Sequence, residues 1–158
     1  MGIDMERSPQ AQTLTDIMLA VFRVNGRLLQ AGDRLVAPLD LTSARWQVLG
    51  AIALSDQPLT VPQVADAMGM TRQGAQKQIN KLEEDGFLES RSNPRHKRSP
   101  FYALTEKGSA TFQAVDRLHT GWANALADGL PAEHLQGALA LLAELDRRLD
   151  IAAPKDGV

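Results

Sequence analysis

Cysteine is absent from this 158-residue chain. Disulfides, zinc ribbons and iron–sulfur clusters held by thiolates are thereby excluded. Long apolar runs are absent too, so no segment reads as a membrane span. The opening MGIDMERSPQ has no signal-peptide pattern, and the expected location is the cytoplasm. No glycine-rich phosphate loop, nucleophile elbow or paired-carboxylate motif appears, so no enzyme activity and no cofactor are expected. The three histidines, His96, His119 and His134, have no partner at metal-ligand spacing, and no metal site is expected. Internal repeats and low-complexity tracts are missing as well.

What the chain does have is a patterned stretch at residues 60–108. Thr60 and Gln63 stand three apart, as a capping box requires, with Pro62 in the first turn. Val61, Val64, Ala65 and Met68 then form an apolar face at helical spacing. Gly69 falls where a left-handed residue ends a helix, and Thr71 is placed to cap the next one. Ala75, Ile79 and Leu82 give that second helix its inward face, and Gly86 ends it. Two helices joined by so short a turn make a helix-turn-helix.

The outward face of the second helix carries Gln73, Gln76, Lys77 and Asn80. Amide side chains can bond adenine at two atoms, and lysine can donate to guanine. Thr71, Arg72 and Lys81 lie at the helix ends, where Arg72 and Lys81 suit phosphates. On polarity alone this face is equally well a solvated surface. The segment that follows shifts the balance. A strand beginning at Phe87 and running through Arg91 is followed by the turn formers Ser92, Asn93 and Pro94. Arg95, His96, Lys97 and Arg98 crowd the tip, and residues 101–104 return as a strand. Such a hairpin reads as a wing whose arginine enters a minor groove; its alternative is a mobile solvated loop.

Charge is unevenly spread. Over the whole chain 17 Lys and Arg face 19 Asp and Glu. Residues 71–101 hold seven basic and four acidic side chains, a net of +3, which leaves the remainder at −5. A local basic footprint on an acidic body suits a protein that binds DNA without adhering everywhere.

Three runs, LTSARWQVLGAI at 41–52, LTVPQVADAMGMTRQGAQKQINKLEEDGFL at 59–88 and NPRHKRSPFYALTEKG at 93–108, together resemble the MarR family of transcription regulators. The wing followed by Leu104, Thr105 and Gly108 is the most diagnostic part, and the likeness spans roughly residues 12–150. The resemblance implies a cytoplasmic homodimer on a double-stranded DNA operator, and in many members a small aromatic or phenolic effector. Peroxide sensing through a thiol, known in some relatives, is closed to a chain without cysteine. Many members carry an acidic residue before the Asn-Pro of the wing, paired with the wing arginine. This chain has Ser92, which can hydrogen-bond Arg98 without forming an ion pair, and a less rigid wing is expected. Effectors in the family lie between the dimer helices and the DNA-binding lobe, which points to Arg23, Arg27, Arg45 and Trp46. The other reading of those residues makes Trp46 a core anchor and the arginines surface groups.

The outer helices complete the expectation. Leu14, Ile17, Met18, Val21, Val24, Leu28 and Leu35 stripe one segment; Leu118, Trp122, Ala125 and Leu126 stripe another. Leu135, Leu139, Leu142, Leu145 and Leu149 repeat along a third, with Gly129-Leu130-Pro131 breaking the last two apart. These stripes either pack within one chain or meet a second copy. The expected fold is mainly α with a small β wing: a winged helix-turn-helix flanked by N- and C-terminal dimerisation helices. Its divisions are a flexible N-terminus at 1–10, a dimerisation helix at 11–40, the DNA-binding domain at 41–108, C-terminal dimerisation helices at 109–151 and a flexible tail at 152–158. The expected function is a sequence-specific DNA-binding transcription regulator, a repressor, on a pseudo-palindromic operator; the alternatives are an architectural DNA binder and a winged-helix module for a protein partner.

Overall fold

A computed structural model describes residues 6–152 of the chain, so most of the N-terminal and tail segments named above lies outside the described residues. Among the described residues, six α-helices, a short 3-10 helix and one hairpin follow in the order α1 (Pro9–Val36), the 3-10 helix (Ala37–Leu39), α2 (Ser43–Ala53), α3 (Val61–Met68), α4 (Arg72–Glu84), β1 (Leu88–Arg91), β2 (Phe101–Leu104), α5 (Glu106–Ala127) and α6 (Ala132–Ala152). The first helix starts two residues earlier than the sequence reading placed it. Ser8 is its cap, accepting from the Ala11 N–H at 3.1 Å, and Pro9 fills the first position. By contacts the chain divides into two compact units, one ending at His119 and the other starting at Thr120.

The first unit owns the core. Val36, Val48, Leu49, Val64, Ile79, Leu82 and Val115 are wholly buried. Each such aliphatic side chain contributes about 1.5–3 kcal/mol by leaving water. α2 runs through the middle of this cluster and is apolar on most sides, as a helix with neighbours all round must be. It is tied to α1 at its start. The Ser43 N–H donates to Asp33 Oδ1 at 2.7 Å, and Ser43 Oγ donates to the Leu29 carbonyl at 2.5 Å. Gly32 lets the two helices approach, because a Cβ there would overlap the Ser43 hydroxyl. Thr42 caps α2 through the Arg45 N–H at 3.3 Å.

The helix-turn-helix forms as its local signals dictate. The Thr60–Gln63 capping box is present, with the Thr60 N–H donating to Gln63 Oε1 at 2.9 Å. Gly69 adopts φ 60°, the left-handed region where a side chain is disfavoured. Thr71 Oγ1 accepts from the Gly74 N–H at 3.0 Å and starts α4.

The hairpin begins one residue later than Phe87. The Phe87 N–H is already bonded to the Leu82 carbonyl at 2.8 Å, closing the end of α4, and its own carbonyl accepts from Thr105 at 3.1 Å. Phe87 is thus a buried junction between helix and wing rather than a strand residue. The antiparallel pair runs from Leu88 opposite Leu104 to Arg91 opposite Phe101. Tyr102 is buried and its N–H donates to the Leu59 carbonyl at 2.8 Å, fastening the returning strand to the segment before α3.

The second unit holds the end of α5 and all of α6. Gly129, at φ 75°, ends α5, and α6 begins after Pro131. No side chain of α6 is buried among the described residues. Among those residues, too, no helix is long and apolar enough to cross a membrane.

Candidate nucleic-acid interface

α4 separates its faces cleanly. Ala75, Ile79 and Leu82 have no exposed surface, while Arg72, Gln73, Lys77, Asn80 and Lys81 are exposed and Gln76 is half-buried. The inward three hold the helix on the core, which leaves the outward face rigidly placed. Two of the expected base-reading side chains are bonded to each other: Gln76 Nε2 donates to Asn80 Oδ1 at 2.7 Å. That bond orients both amides. It leaves the Gln76 carbonyl oxygen as an acceptor and the Asn80 amide as a donor, the complement of adenine's N6 and N7.

A cleft opens on each side of this face. One, of about 340 Å³, lies between α4, the start of α3 and the wing, and includes Arg72, Gln73, Gln76 and Arg98. It adjoins a larger cleft of about 810 Å³ between the α3 N-terminus and the wing tip, where Arg95, His96, Lys97 and Arg98 stand. On the other side a cleft of about 830 Å³ separates α4 from the start of α2, with Thr42, Arg45, Lys77 and Lys81 in its wall. Gln73 and Gln76 line clefts on both sides, so they form the ridge between them.

The wing tip owes its shape to Asn93, which the sequence reading took only as a turn former. Asn93 is buried, about 5 % exposed, at the base of a loop whose cations are all exposed. Its Nδ2 donates to the Ser99 carbonyl at 2.8 Å, and its Oδ1 accepts from the Arg95 N–H at 3.1 Å. One amide therefore joins the two legs of the loop, and two backbone bonds, Ser99 to His96 at 2.9 Å and His96 to Asn93 at 3.3 Å, fill the interior. Ser92 is exposed, and among the described residues no hydrogen bond joins it to Arg98. The loop is held from Asn93 instead.

Of the residues expected to meet an effector, Arg45 sits in the cleft beside α4. Its Nη1 donates to the Asp40 carbonyl at 3.3 Å and stands 4.0 Å from Asp85 Oδ2. Asp85 also accepts from Lys81 Nζ at 3.0 Å, and that hydrogen bond, with the charges of Asp85 and Glu84, raises the pKa of the Lys81 ammonium. Trp46 packs against the core and meets the His119 ring edge-on, with centroids 5.3 Å apart. Arg23 and Arg27 are exposed on α1, one turn apart, and among the described residues no hydrogen bond or ion pair joins them to Arg45 or Trp46. Among the described residues no group of His, Asp or Glu is gathered as a metal site.

The motif Leu104-Thr105-x-x-Gly108 has a mechanical meaning. Thr105 Oγ1 donates to the Gly86 carbonyl at 2.6 Å and accepts from the Gly108 N–H at 3.0 Å, capping α5 and binding it to the turn after α4. Gly108 is where α5 touches the Phe87 carbonyl. The wing and the recognition helix are therefore locked at one joint.

Comparison with known proteins agrees with this geometry. The model of the MarR family matches residues 39–99. Uncharacterised proteins of Mycobacterium tuberculosis and Mycobacterium bovis are each 41 % identical to the chain over 116 residues, covering 73 % of it and 80 % of the relative. Among solved structures, AbsC of Streptomyces coelicolor, a MarR-family transcriptional regulator, superposes with a TM-score of 0.75 at 20 % identity over 92 % of this chain and 98 % of that one. CouR of Rhodococcus jostii RHA1, bound to p-coumaroyl-CoA, gives 0.74 at 21 % over 83 % and 92 %. A MarR/EmrR-family regulator of Acinetobacter sp. ADP1 gives 0.77 at 15 % over 86 % and 96 %. At these identities the structures speak for the fold. The chain belongs to the MarR family and has the winged helix-turn-helix fold of its transcription regulators.

Proposed function

We propose that this protein is a sequence-specific DNA-binding regulator, a homodimer that represses transcription from a pseudo-palindromic operator. The observation that carries the reading is the arrangement around α4: a rigid polar ridge with a cation-lined cleft on each side and a stapled cationic wing. A major groove about 12 Å wide admits such a helix, and phosphates bound it on both sides. Gln73, Gln76, Lys77 and Asn80 read bases, Thr71, Arg72 and Lys81 hold phosphates, and Arg98 enters the minor groove with Arg95, His96 and Lys97 beside it.

Dimerisation is supported by apolar surface with no cover. Phe22 is 72 % exposed on α1 and Leu139 71 % on α6, within longer exposed runs that include Leu19, Val24, Leu135 and Leu149. Single exposed leucines are ordinary, but contiguous rows along a helix mark an association surface. Two copies would set their recognition helices about 34–36 Å apart, one turn of duplex.

A small aromatic acid or its thioester is the effector class to screen first, since the fold neighbour CouR holds p-coumaroyl-CoA. Arg23, Arg27, Arg45 and Trp46 are the residues proposed to meet it, and titration followed by tryptophan fluorescence and operator affinity tests this; no change in either sinks the sensor. The DNA reading is tested with Lys77→Ala and Arg98→Ala. Each is expected to weaken operator binding by about 1–3 kcal/mol if its side chain reaches a base. Unchanged affinity in both contradicts the residue assignment.

A further inference from the structure

The cleft on the α2 side of α4 is lined by Arg45, Lys77, Lys81 and Glu84, and behind two of those cations stands one carboxylate, Asp85, that faces both. Arg45 enters it from the first turn of α2, and Lys81 from the last turn of α4. Asp85 Oδ1 accepts from Lys81 Nζ at 3.0 Å, and Asp85 Oδ2 stands 4.0 Å from Arg45 Nη1. The aspartate is fixed by its main chain, independently of that carboxylate. Its N–H donates to the Lys81 carbonyl at 3.0 Å, and its carbonyl accepts from Lys107 Nζ at 2.6 Å. Arg45 is likewise anchored in the cleft by the Asp40 carbonyl.

A duplex that receives α4 in its major groove presents a row of phosphates on each side of the helix. Arg72 and Arg98 face one row across the cleft they share. On the other side stand Arg45, Lys77 and Lys81. Asp85 takes a donor of Lys81 and sets its negative charge 4.0 Å from Arg45, so it competes with a phosphate oxygen for both cations. Resting on the DNA-binding reading above, we infer that Arg45 and Lys81 form the phosphate seat on the α2 side of the recognition helix, and that Asp85 is an affinity-tuning residue that fills this seat in the free protein. Every duplex must displace the carboxylate to use the seat. The exchange lowers affinity for random DNA and operator by the same factor, which brings binding to random DNA, held by little besides phosphates, closer to nothing while the operator keeps its base contacts.

The test is a salt series of anisotropy titrations on a labelled random-sequence duplex, with the full-length chain. Asp85→Asn keeps the shape and the main-chain bonds, and loss of a negative charge at a helix C-terminus favours the helix. It is expected to bind several-fold tighter, with the slope of log affinity against log salt steeper by about one to two, near one per phosphate newly neutralised. Adding Arg45→Ala to that variant is expected to return about half of the gain. Glu84→Gln removes the same charge from Lys81's other neighbour, 3.6 Å away and without contact to Arg45, and is expected to move the slope less. An unchanged slope in Asp85→Asn overturns the inference, as does an equal shift in Glu84→Gln, which would assign the effect to net charge alone. Failure of the wild-type chain to bind the duplex at low salt overturns the DNA-binding reading itself, a result distinct from either.

Discussion

Gly108, in the first turn of α5, lies against the backbone carbonyl of Phe87 so closely that a methyl group has no room between them. This contact joins the residue that ends the recognition helix to the helix that follows the wing. Because the obstacle is backbone on both sides, no rotamer can relieve it. Gly108→Ala is expected to lower stability by about 1–3 kcal/mol, the usual cost of overpacking. Urea denaturation followed by circular dichroism measures it, and a variant as stable as the wild type would show that the joint can open without cost.

Asn93 ties the two legs of the wing tip together. The family resemblance, with Ser92 in place of an acid, leads to the expectation of a looser loop; the buried Asn93 amide bonds both of its legs. Asn93→Ala is expected to cost about 1 kcal/mol per lost bond locally and to loosen the tip that carries Arg95 to Arg98. Operator affinity should fall while the thermal midpoint moves little, because the loop is peripheral to the core. Asn93→Asp keeps the acceptor for Arg95 and loses the donor to Ser99, so it should fall between the two. Backbone amide exchange at Arg95 and Ser99 reports the loosening directly; equal protection in all three chains contradicts the staple.

Gln76 and Asn80 act as a pair. Their mutual bond fixes which way each amide points. Asn80→Ala should therefore cost more on the operator than the loss of one contact, about 1–3 kcal/mol, and next to nothing on random DNA. Equal losses on both duplexes would move Asn80 from base reading to phosphate binding.

The apolar rows on α1 and α6 make a prediction about assembly. The wild-type chain is expected to sediment as a dimer and to melt at a temperature that rises with protein concentration. Leu139→Glu, at a side chain 71 % exposed in the single chain, is expected to weaken self-association without disturbing the buried cluster of the first unit. A monomeric wild-type chain contradicts the dimer.

The parts of this molecule legible in its sequence are those set by residues a few positions apart. The Thr60–Gln63 box, the left-handed Gly69, the Thr71 cap and the Ala75, Ile79, Leu82 face all depend on local geometry, and each stands where the spacing put it. Phe87 lies outside the strand its sequence suggests because its N–H and carbonyl are both claimed from outside the hairpin, by Leu82 and by Thr105. Asn93 looks like an ordinary turn residue in sequence, and Ser43 carries no signal there; their burial, and the bonds that permit it, exist only once distant backbone arrives. Arg45 is the sharpest case. The family resemblance pointed it toward an effector; its neighbour Asp85 becomes visible only once α2 packs against α4.

The most direct measurement is anisotropy binding to the duplex upstream of the protein's own gene and to a scrambled duplex, at two salt concentrations. A preference of about 1000-fold or more for the natural duplex, surviving the higher salt, is the result expected of a specific regulator. Equal and strongly salt-dependent binding to both would assign the protein to architectural DNA binding or place its operator elsewhere. No binding to either duplex at low salt would contradict the DNA-binding claim and leave the winged helix as a surface for a protein partner.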